Sequence, residues 1–252
     1  GADTITSYNA GTDLVKLYTG GLSSIAASGA NVVITADDSS LTIDGAADQR
    51  LAVEVGGQTY NCWFARTDQA NSVTYSADIN FYDGSAATKD TLLLTGSSDS
   101  AINLQSTRDI WYANIDTVDA SASSGANILA GDAASNTLIG GSGTTGMWGG
   151  GSASDTMQGG SGTDTFWYGI GDGTDTIADG QSGDVVYFYN ADYKQASFST
   201  DGTNLTISLG SSDTLTISDW SASALNTFRF ADKSEYALTV SGTTITAAKI
   251  SA

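Results

Sequence analysis

The sequence contains no proline, no histidine and a single cysteine, Cys62. Without histidine, this chain has no Ser-His-Asp triad, no Cys-His pair and no histidine metal site. A lone cysteine cannot form an internal disulfide, and the neighbouring Trp63 and Phe64 predict a buried thiol. Because proline cannot donate a backbone hydrogen bond, its absence favours a regular β-structure that uses nearly every N–H group.

Basic residues are also scarce, since 9 Lys and Arg stand against 28 Asp and Glu for a net charge of -19. Such a charge repels nucleic acid and anionic membranes. No apolar stretch has the 3.6-residue period of a sizeable helix, and none is long enough to cross a bilayer. Gly1 opens no recognisable signal peptide. The sequence therefore predicts an all-β protein that neither binds nucleic acid nor inserts into a membrane.

The chain is rich in glycine, and between Gly125 and Gly169 an apolar residue recurs every nine or ten positions. The recurring residues are Leu129, Leu138, Met147, Met157 and Phe166. Glycines between them permit turns with positive φ. This rhythm predicts a coil in which each half-turn is one short strand and one tight turn, with the apolar residue inside. The residues two positions earlier are expected to face outward at the turns: Asn127, Asn136, Thr145, Asp155 and Asp164.

This stretch resembles the RTX (haemolysin-type) repeat, most closely over residues 159–167, Gly-Gly-Ser-Gly-Thr-Asp-Thr-Phe-Trp. The resemblance implies a parallel β-roll in which each calcium ion lies between turns n and n+2. Pairing alternate turns from Asn127 to Asp164 gives no pair of two carboxylates, and calcium affinity rises with ligand charge. Richer pairs follow if Asp155 faces Asp175 and Asp164 faces Asp184. The insertion between residues 166 and 177 leaves that register open.

The resemblance thus implies Ca²⁺ as the cofactor. The implied metal ligands are Asp155, Asp164, Asp175, Asp184 and Asn136.

Two parts of the chain look like copies of one module. Residues 1–17 mirror residues 173–188, and residues 31–44 mirror residues 204–218. Together with the roll, these similarities predict four segments along an all-β chain. They are a β module with a partial RTX-like repeat at 1–70, a strand lead-in at 71–124, the RTX-like β-roll at 125–186, and a β module resembling the post-RTX domain at 187–252. The segments form either one continuous β-stack or a stack with a separate β-sandwich at the N-terminal end.

Other residues carry functional groups that serve catalysis or binding in proteins. The paired carboxylates Asp37 with Asp38 and Asp116 with Asp119 are interpreted as turn residues, and glutamate is too scarce to favour a glycosidase pair. Strand alternation turns Trp148 and Trp167 outward. There they either stack against a sugar or a neighbouring subunit, or are covered by flanking segments.

The sequence predicts a secreted, non-catalytic bacterial surface protein: an S-layer, adhesin or extracellular filament subunit that folds with calcium after type I secretion. Its expected partners are further copies of itself, joined head to tail or in a lattice, and cell-surface glycans. Two alternatives stay open. One is the export and folding tail of a larger type I-secreted hydrolase, and the other is a carbohydrate-binding module.

Overall fold

The protein is described by a computed structural model that covers residues 1–17, 22–36, 39–105, 110–221 and 224–251. Asp37 and Asp38, interpreted above as turn residues, lie outside the described residues. The described part contains 26 β-strands, one 3₁₀ turn at Tyr193–Gln195 and no α-helix, so the predicted all-β class is confirmed.

In chain order the strands are β1 (Ala2–Ile5), β2 (Val15–Leu17), β3 (Leu22–Ser28), β4 (Asn31–Ala36), β5 (Ser39–Ile43), β6 (Arg50–Val55), β7 (Gln58–Phe64), β8 (Ser72–Thr74), β9 (Phe81–Asp83), β10 (Thr91–Gly96), β11 (Ser100–Asn103), β12 (Trp111–Ala113), β13 (Thr117–Ser123), β14 (Asn127–Ala130), β15 (Thr137–Ile139), β16 (Thr145–Trp148), β17 (Thr156–Gln158), β18 (Thr165–Tyr168), β19 (Thr174–Asp179), β20 (Val185–Phe188), β21 (Ala196–Thr200), β22 (Leu205–Leu209), β23 (Asp213–Ile217), β24 (Thr227–Phe230), β25 (Glu235–Ser241) and β26 (Thr244–Ser251).

The chain forms two compact units. The first unit contains Gly1–Leu93 and Ser106–Thr117, and the second contains Leu94–Gln105 and Val118–Ala252. The four predicted segments do not coincide with these units, because segment 71–124 contributes to both.

The second unit contains the parallel β-roll that the nine-residue rhythm predicts. Successive strands alternate between two sheets, with β14, β16, β18, β20 and β24 in one and β15, β17, β19 and β23 in the other. In-register pairing stacks the inward side chains in two columns. One column is Leu129, Met147, Phe166, Val186 and Phe228; the other is Leu138, Met157, Ile177 and Ile217.

Every side chain in these two columns is buried. Burying one large apolar side chain contributes about 1.5–3 kcal/mol, so the columns are the main apolar core of the roll. The outward positions of the second sheet instead carry half-exposed threonines, such as Thr137, Thr156 and Thr176. Threonine is β-branched and favours the strand conformation, and its hydroxyl group can hydrogen-bond to water at these half-exposed positions.

The predicted duplication is visible in the strand topology. The first copy, β1 to β7, contains a sheet of order β1-β5-β4-β3, and the second copy, β19 to β25, contains the equivalent order β19-β23-β22-β21. The registers agree as well: Asp3 lies opposite Leu41 as Asp175 lies opposite Leu215. The remaining strands repeat too, because β2-β6-β7 matches β20-β24-β25.

The two copies differ in what lies on their edges. Strand β19 pairs with β17 of the roll on one side and with β23 on the other. Its equivalent in the first copy, β1, has β5 as its only strand partner among the described residues. At the other end, β7 pairs with the parallel strand β9, whereas β25 pairs with the antiparallel strand β26. Strands β1 and β26 therefore form sheet edges in the described part of the chain.

Candidate metal centre

The four predicted aspartate ligands are buried, so the expectation that the acidic positions face outward at the turns is wrong. The exposed fractions of Asp155, Asp164, Asp175 and Asp184 are 2%, 0%, 1% and 1%. The physical reason is that consecutive turns stack directly on one another. Each carboxylate is then enclosed and accepts a backbone hydrogen bond from the adjacent turn of the same sheet.

These bonds form two ladders, which we call column A and column B. Column A contains Asn136, Asp155 and Asp175. The Asn136 N–H donates to Asp155 Oδ1 at 2.7 Å, and the Asp155 N–H donates to Asp175 Oδ1 at 3.0 Å.

Column B contains Thr145, Asp164 and Asp184. The Thr145 N–H donates to Asp164 Oδ1 at 2.6 Å, and the Asp164 N–H donates to Asp184 Oδ1 at 2.8 Å. The structure therefore brings together the residue pairs expected from the sequence, across the insertion that left their register open. Their role as metal ligands stays a prediction.

Two aspartate oxygens in these columns are unsatisfied. Asp155 Oδ2 and Asp164 Oδ2 are buried and have no hydrogen-bond partner in the described part of the chain. The same holds for Asn71 Oδ1 and Asn127 Oδ1, which also lie two positions before an apolar strand residue. A buried acceptor without a partner costs about 1–3 kcal/mol, and more when it is charged. The columns thus contain hydrogen-bond acceptors for which the described part of the protein provides no donor.

Glycine keeps the space beside both oxygens free. A Cβ atom on Gly149 would lie 2.6 Å from Asp155 Oδ2, and one on Gly159 would lie 2.5 Å from Asp164 Oδ2. Any larger residue at these positions would press on the carboxylate. The glycines of the repeat therefore leave room for the aspartate carboxylates and also permit the tight turns.

The electrostatic surroundings of the columns favour a cation. Burial, followed by the neighbouring carboxylates, raises the pKa of Asp155 and of Asp164 from 3.8 to about 6. Burial and the nearby Asp155, Asp172 and Asp213 raise the pKa of Asp175 to about 8. The charges acting on these carboxyls are other carboxylates, so ionising them all together is costly without a cation.

The donor set fits a hard cation that prefers oxygen. Calcium takes six to eight oxygen ligands from carboxylates, backbone carbonyls and water. Among the described residues, no three Asp, Glu or Cys side chains converge as a preformed metal site. Each step of a column offers at most two carboxylates, and carbonyl groups of the glycine turns would supply further ligands. Asp155 and Asp164 fit best, because each has an unpartnered oxygen beside a glycine.

Sequence reasoning missed a similar ladder in the first unit. There the Asn71 N–H donates to Asp90 Oδ1 at 2.7 Å, and the Asp90 N–H donates to Asp116 Oδ2 at 3.0 Å. The signal was present, because each of these residues stands two positions before Val73, Leu92 or Val118. The spacing of these residues is irregular rather than nine residues, so the sequence does not show them as a repeat.

The first-unit ladder differs from columns A and B in its charge balance. Asp90 Oδ2 accepts bonds from the Ser85 N–H at 2.6 Å and the Thr88 hydroxyl at 3.0 Å. Lys89 forms an ion pair with Asp116 at 2.5 Å. This ladder is therefore satisfied largely by the protein itself, and the demand for an external cation is concentrated in the roll.

The outward aromatic residues of the roll lie in one row. Trp148, Trp167 and Tyr187 are in register on β16, β18 and β20, and all three are half-buried. The Trp148 indole N–H donates to Asp172 Oδ2 at 3.2 Å, and the Trp167 ring lies over Gly146. The row is thus partly covered by the roll itself and partly open to solvent.

No family profile and no curated protein sequence matches the chain. Among solved structures, the extracellular lipase LipA from Serratia marcescens is similar over 92% of this chain and 34% of the lipase, with 12% sequence identity and a TM-score of 0.28. This chain thus spans about a third of the lipase, and at that TM-score the similarity carries no argument about function. Among the described residues, no helix is long and apolar enough to cross a membrane.

Proposed function

We propose that this chain is a secreted, non-catalytic structural protein of the bacterial cell surface whose β-roll folds with calcium. One observation carries the proposal: Asp155 Oδ2 and Asp164 Oδ2 are buried, unpartnered and surrounded by further carboxylates. A bound calcium ion would balance the negative charge of these carboxylates and be coordinated by their oxygen atoms. We propose an S-layer, adhesin or filament subunit as its structural role.

The chain's own residues couple this charge to folding. Oδ1 of Asp155 and of Asp164 holds a backbone N–H of the adjacent turn, while Oδ2 remains available to a ligand. A cation bound to Oδ2 therefore stabilises the ionised carboxylate, whose Oδ1 accepts the hydrogen bond from the adjacent turn. Without a cation, repulsion among buried carboxylates loosens the roll, which suits a chain exported unfolded and folded outside the cell.

Calcium titration of the EDTA-stripped protein in a calorimeter tests the proposal. Wild type is expected to show saturable calcium binding that magnesium does not reproduce, because magnesium demands rigid octahedral geometry and sheds water reluctantly. Asp164→Asn is expected to lose at least one binding event. The control is Asp201→Asn, which removes the same charge from an exposed turn. Heats no larger than dilution, or equal losses in both variants, would refute the proposal.

The sheet edges favour association of this protein with further copies of itself. Strand β26 pairs only with β25 among the described residues, and its Ile250 side chain is 55% exposed. Long edge strands offer unpaired backbone groups to another chain, and β26 carries only one charged residue, Lys249, so a second charge beside it is expected to block such pairing.

Ile250→Lys is therefore expected to shift wild-type assemblies toward monomer in sedimentation velocity with calcium present. The matched control is Ile128→Lys, since Ile128 is 51% exposed but lies on β14, which pairs on both sides. A wild-type protein that stays monomeric as its concentration rises would contradict self-association. So would an equal shift in both variants.

A further inference from the structure

The first unit contains a cavity of about 740 Å³ between its two main sheets. Ile25 of β3 lines one side, and Val53, Val55 and Tyr60 of β6 and β7 line the other. Binding sites for small molecules typically measure about 300–1,000 Å³ and are mostly apolar. None of the predicted metal ligands lines this cavity.

The second copy of the module identifies the equivalent of each wall residue. Ile25 pairs with Ile34 as Phe198 pairs with Ile207. The pairing of β6 with β2, which places Val55 opposite Leu17, matches the pairing of β24 with β20, which places Phe230 opposite Phe188.

Tyr60 pairs with Val53 as Tyr236 pairs with Phe228. Three walls of the cavity, Ile25, Val55 and Tyr60, therefore correspond to Phe198, Phe230 and Tyr236.

In the second copy an aromatic ring fills this position. Tyr193, on the 3₁₀ turn, stacks on Tyr236 with ring centroids 4.0 Å apart. Its ring also lies 6.0 Å from that of Phe198 and meets the ring of Phe230 edge-on at 5.7 Å. The module's frame thus accommodates a phenol ring supplied by its own chain.

The first copy keeps the frame but has smaller walls. Ile25 and Val55 replace the two phenylalanines, so the space is wider, while Tyr60 keeps the tyrosine on which Tyr193 stacks in the other copy. Gln58 and Asn80 add amide groups to the lining, which suit a ring hydroxyl. Trp111, 60% exposed, also borders the cavity.

We propose that this cavity binds a neutral phenol-type ring, presented either by a small aromatic molecule or by a tyrosyl side chain of a peptide. The described lining residues include no Asp, Glu, Lys or Arg, which favours an uncharged ring. Burial raises the pKa of the Cys62 thiol to about 11, so that lining group is also neutral at physiological pH. The inference goes beyond the structural role proposed above and does not rest on it.

Titration of the full chain with p-cresol, and separately with an acetyl-Gly-Tyr-Gly-amide peptide, tests this site. Saturable changes in tryptophan emission and saturation-transfer NMR signals from the phenol ring are expected. Tighter binding of the peptide would assign the ring to a protein partner, and tighter binding of p-cresol would assign it to a small molecule. Either result supports the site.

Rebuilding the walls of the second copy gives the sharpest variant. Val55→Phe and Ile25→Phe reproduce the two phenylalanines that contact the Tyr193 ring in the second copy, and each is expected to tighten ring binding by about threefold or more. The control is Val240→Phe, at an exposed position on β25 of the second unit. Tyr60→Ala, at an exposed rim position, removes the stacking partner and is expected to weaken binding without loss of β-structure by circular dichroism.

Two results would overturn the proposal. One is the absence of saturable binding up to the solubility limit of p-cresol. The other is binding that Tyr60→Ala, folded by circular dichroism, weakens no more than Val240→Phe does, and that Val55→Phe, also folded, leaves no tighter than in the wild type.

Discussion

Calcium added to the EDTA-stripped protein is expected to raise the midpoint of thermal unfolding of the roll by roughly 10–20 °C. A ligand present at 100 times its dissociation constant stabilises the folded state by about 2.7 kcal/mol per site, so two sites contribute about 5 kcal/mol. Each kcal/mol shifts the midpoint by about 2–4 °C for a protein of this size. Differential scanning calorimetry with and without calcium measures the shift directly.

The double variant Asp155→Asn with Asp164→Asn provides the internal control for this experiment. Asparagine keeps the shape of each side chain and an oxygen for the backbone N–H, but removes the charge that calcium requires. We expect its unfolding midpoint to be nearly insensitive to calcium. A wild-type midpoint that stays unchanged between excess EDTA and excess calcium would exclude the calcium-dependent roll.

Without calcium, the free energy of unfolding is expected to fall as the pH rises from about 4 to about 8. The folded-state pKa values of Asp155 and Asp164 are raised from 3.8 to about 6, and that of Asp175 to about 8. A carboxyl with a raised pKa binds its proton more tightly in the folded state. Its stabilising contribution is complete below the unfolded pKa and is lost as the pH passes the folded pKa.

The expected loss is on the order of 3 kcal/mol for one carboxyl whose pKa rises by about two units, and the coupled carboxyls do not add fully. Saturating calcium should remove or reverse this trend, because the cation binds only the ionised carboxylates. Urea unfolding followed by circular dichroism across this pH range, with EDTA or with calcium, measures both effects. Stability that rises with pH in EDTA would show that the buried carboxylates are stabilised by another means.

The sequence predicted the roll because its signal is periodic and local. Apolar residues such as Leu129 and Met147 recur every nine or ten positions, and in-register stacking follows from that rhythm. The pairing of Asp155 with Asp175 also followed from alternate turns, although an insertion separates them. Periodicity could not show that these carboxylates are buried, because burial depends on how closely the neighbouring turns pack.

Two other features lay beyond the sequence for different reasons. The ladder through Asp90 and Asp116 keeps the two-residue offset from apolar positions, but its irregular spacing does not identify it as a repeat without the strand pairing. The duplicated module was visible as sequence similarity, but the cavity was not. Its existence depends on Ile25 and Val55 occupying the places of Phe198 and Phe230, which is a matter of strand register.

A crystal structure grown with calcium and read by anomalous scattering tests the central claim most directly. The account predicts a cation peak about 2.3–2.6 Å from Asp155 Oδ2 and a second at the same distance from Asp164 Oδ2. Both oxygens bound only to water or to protein donors at saturating calcium would contradict it.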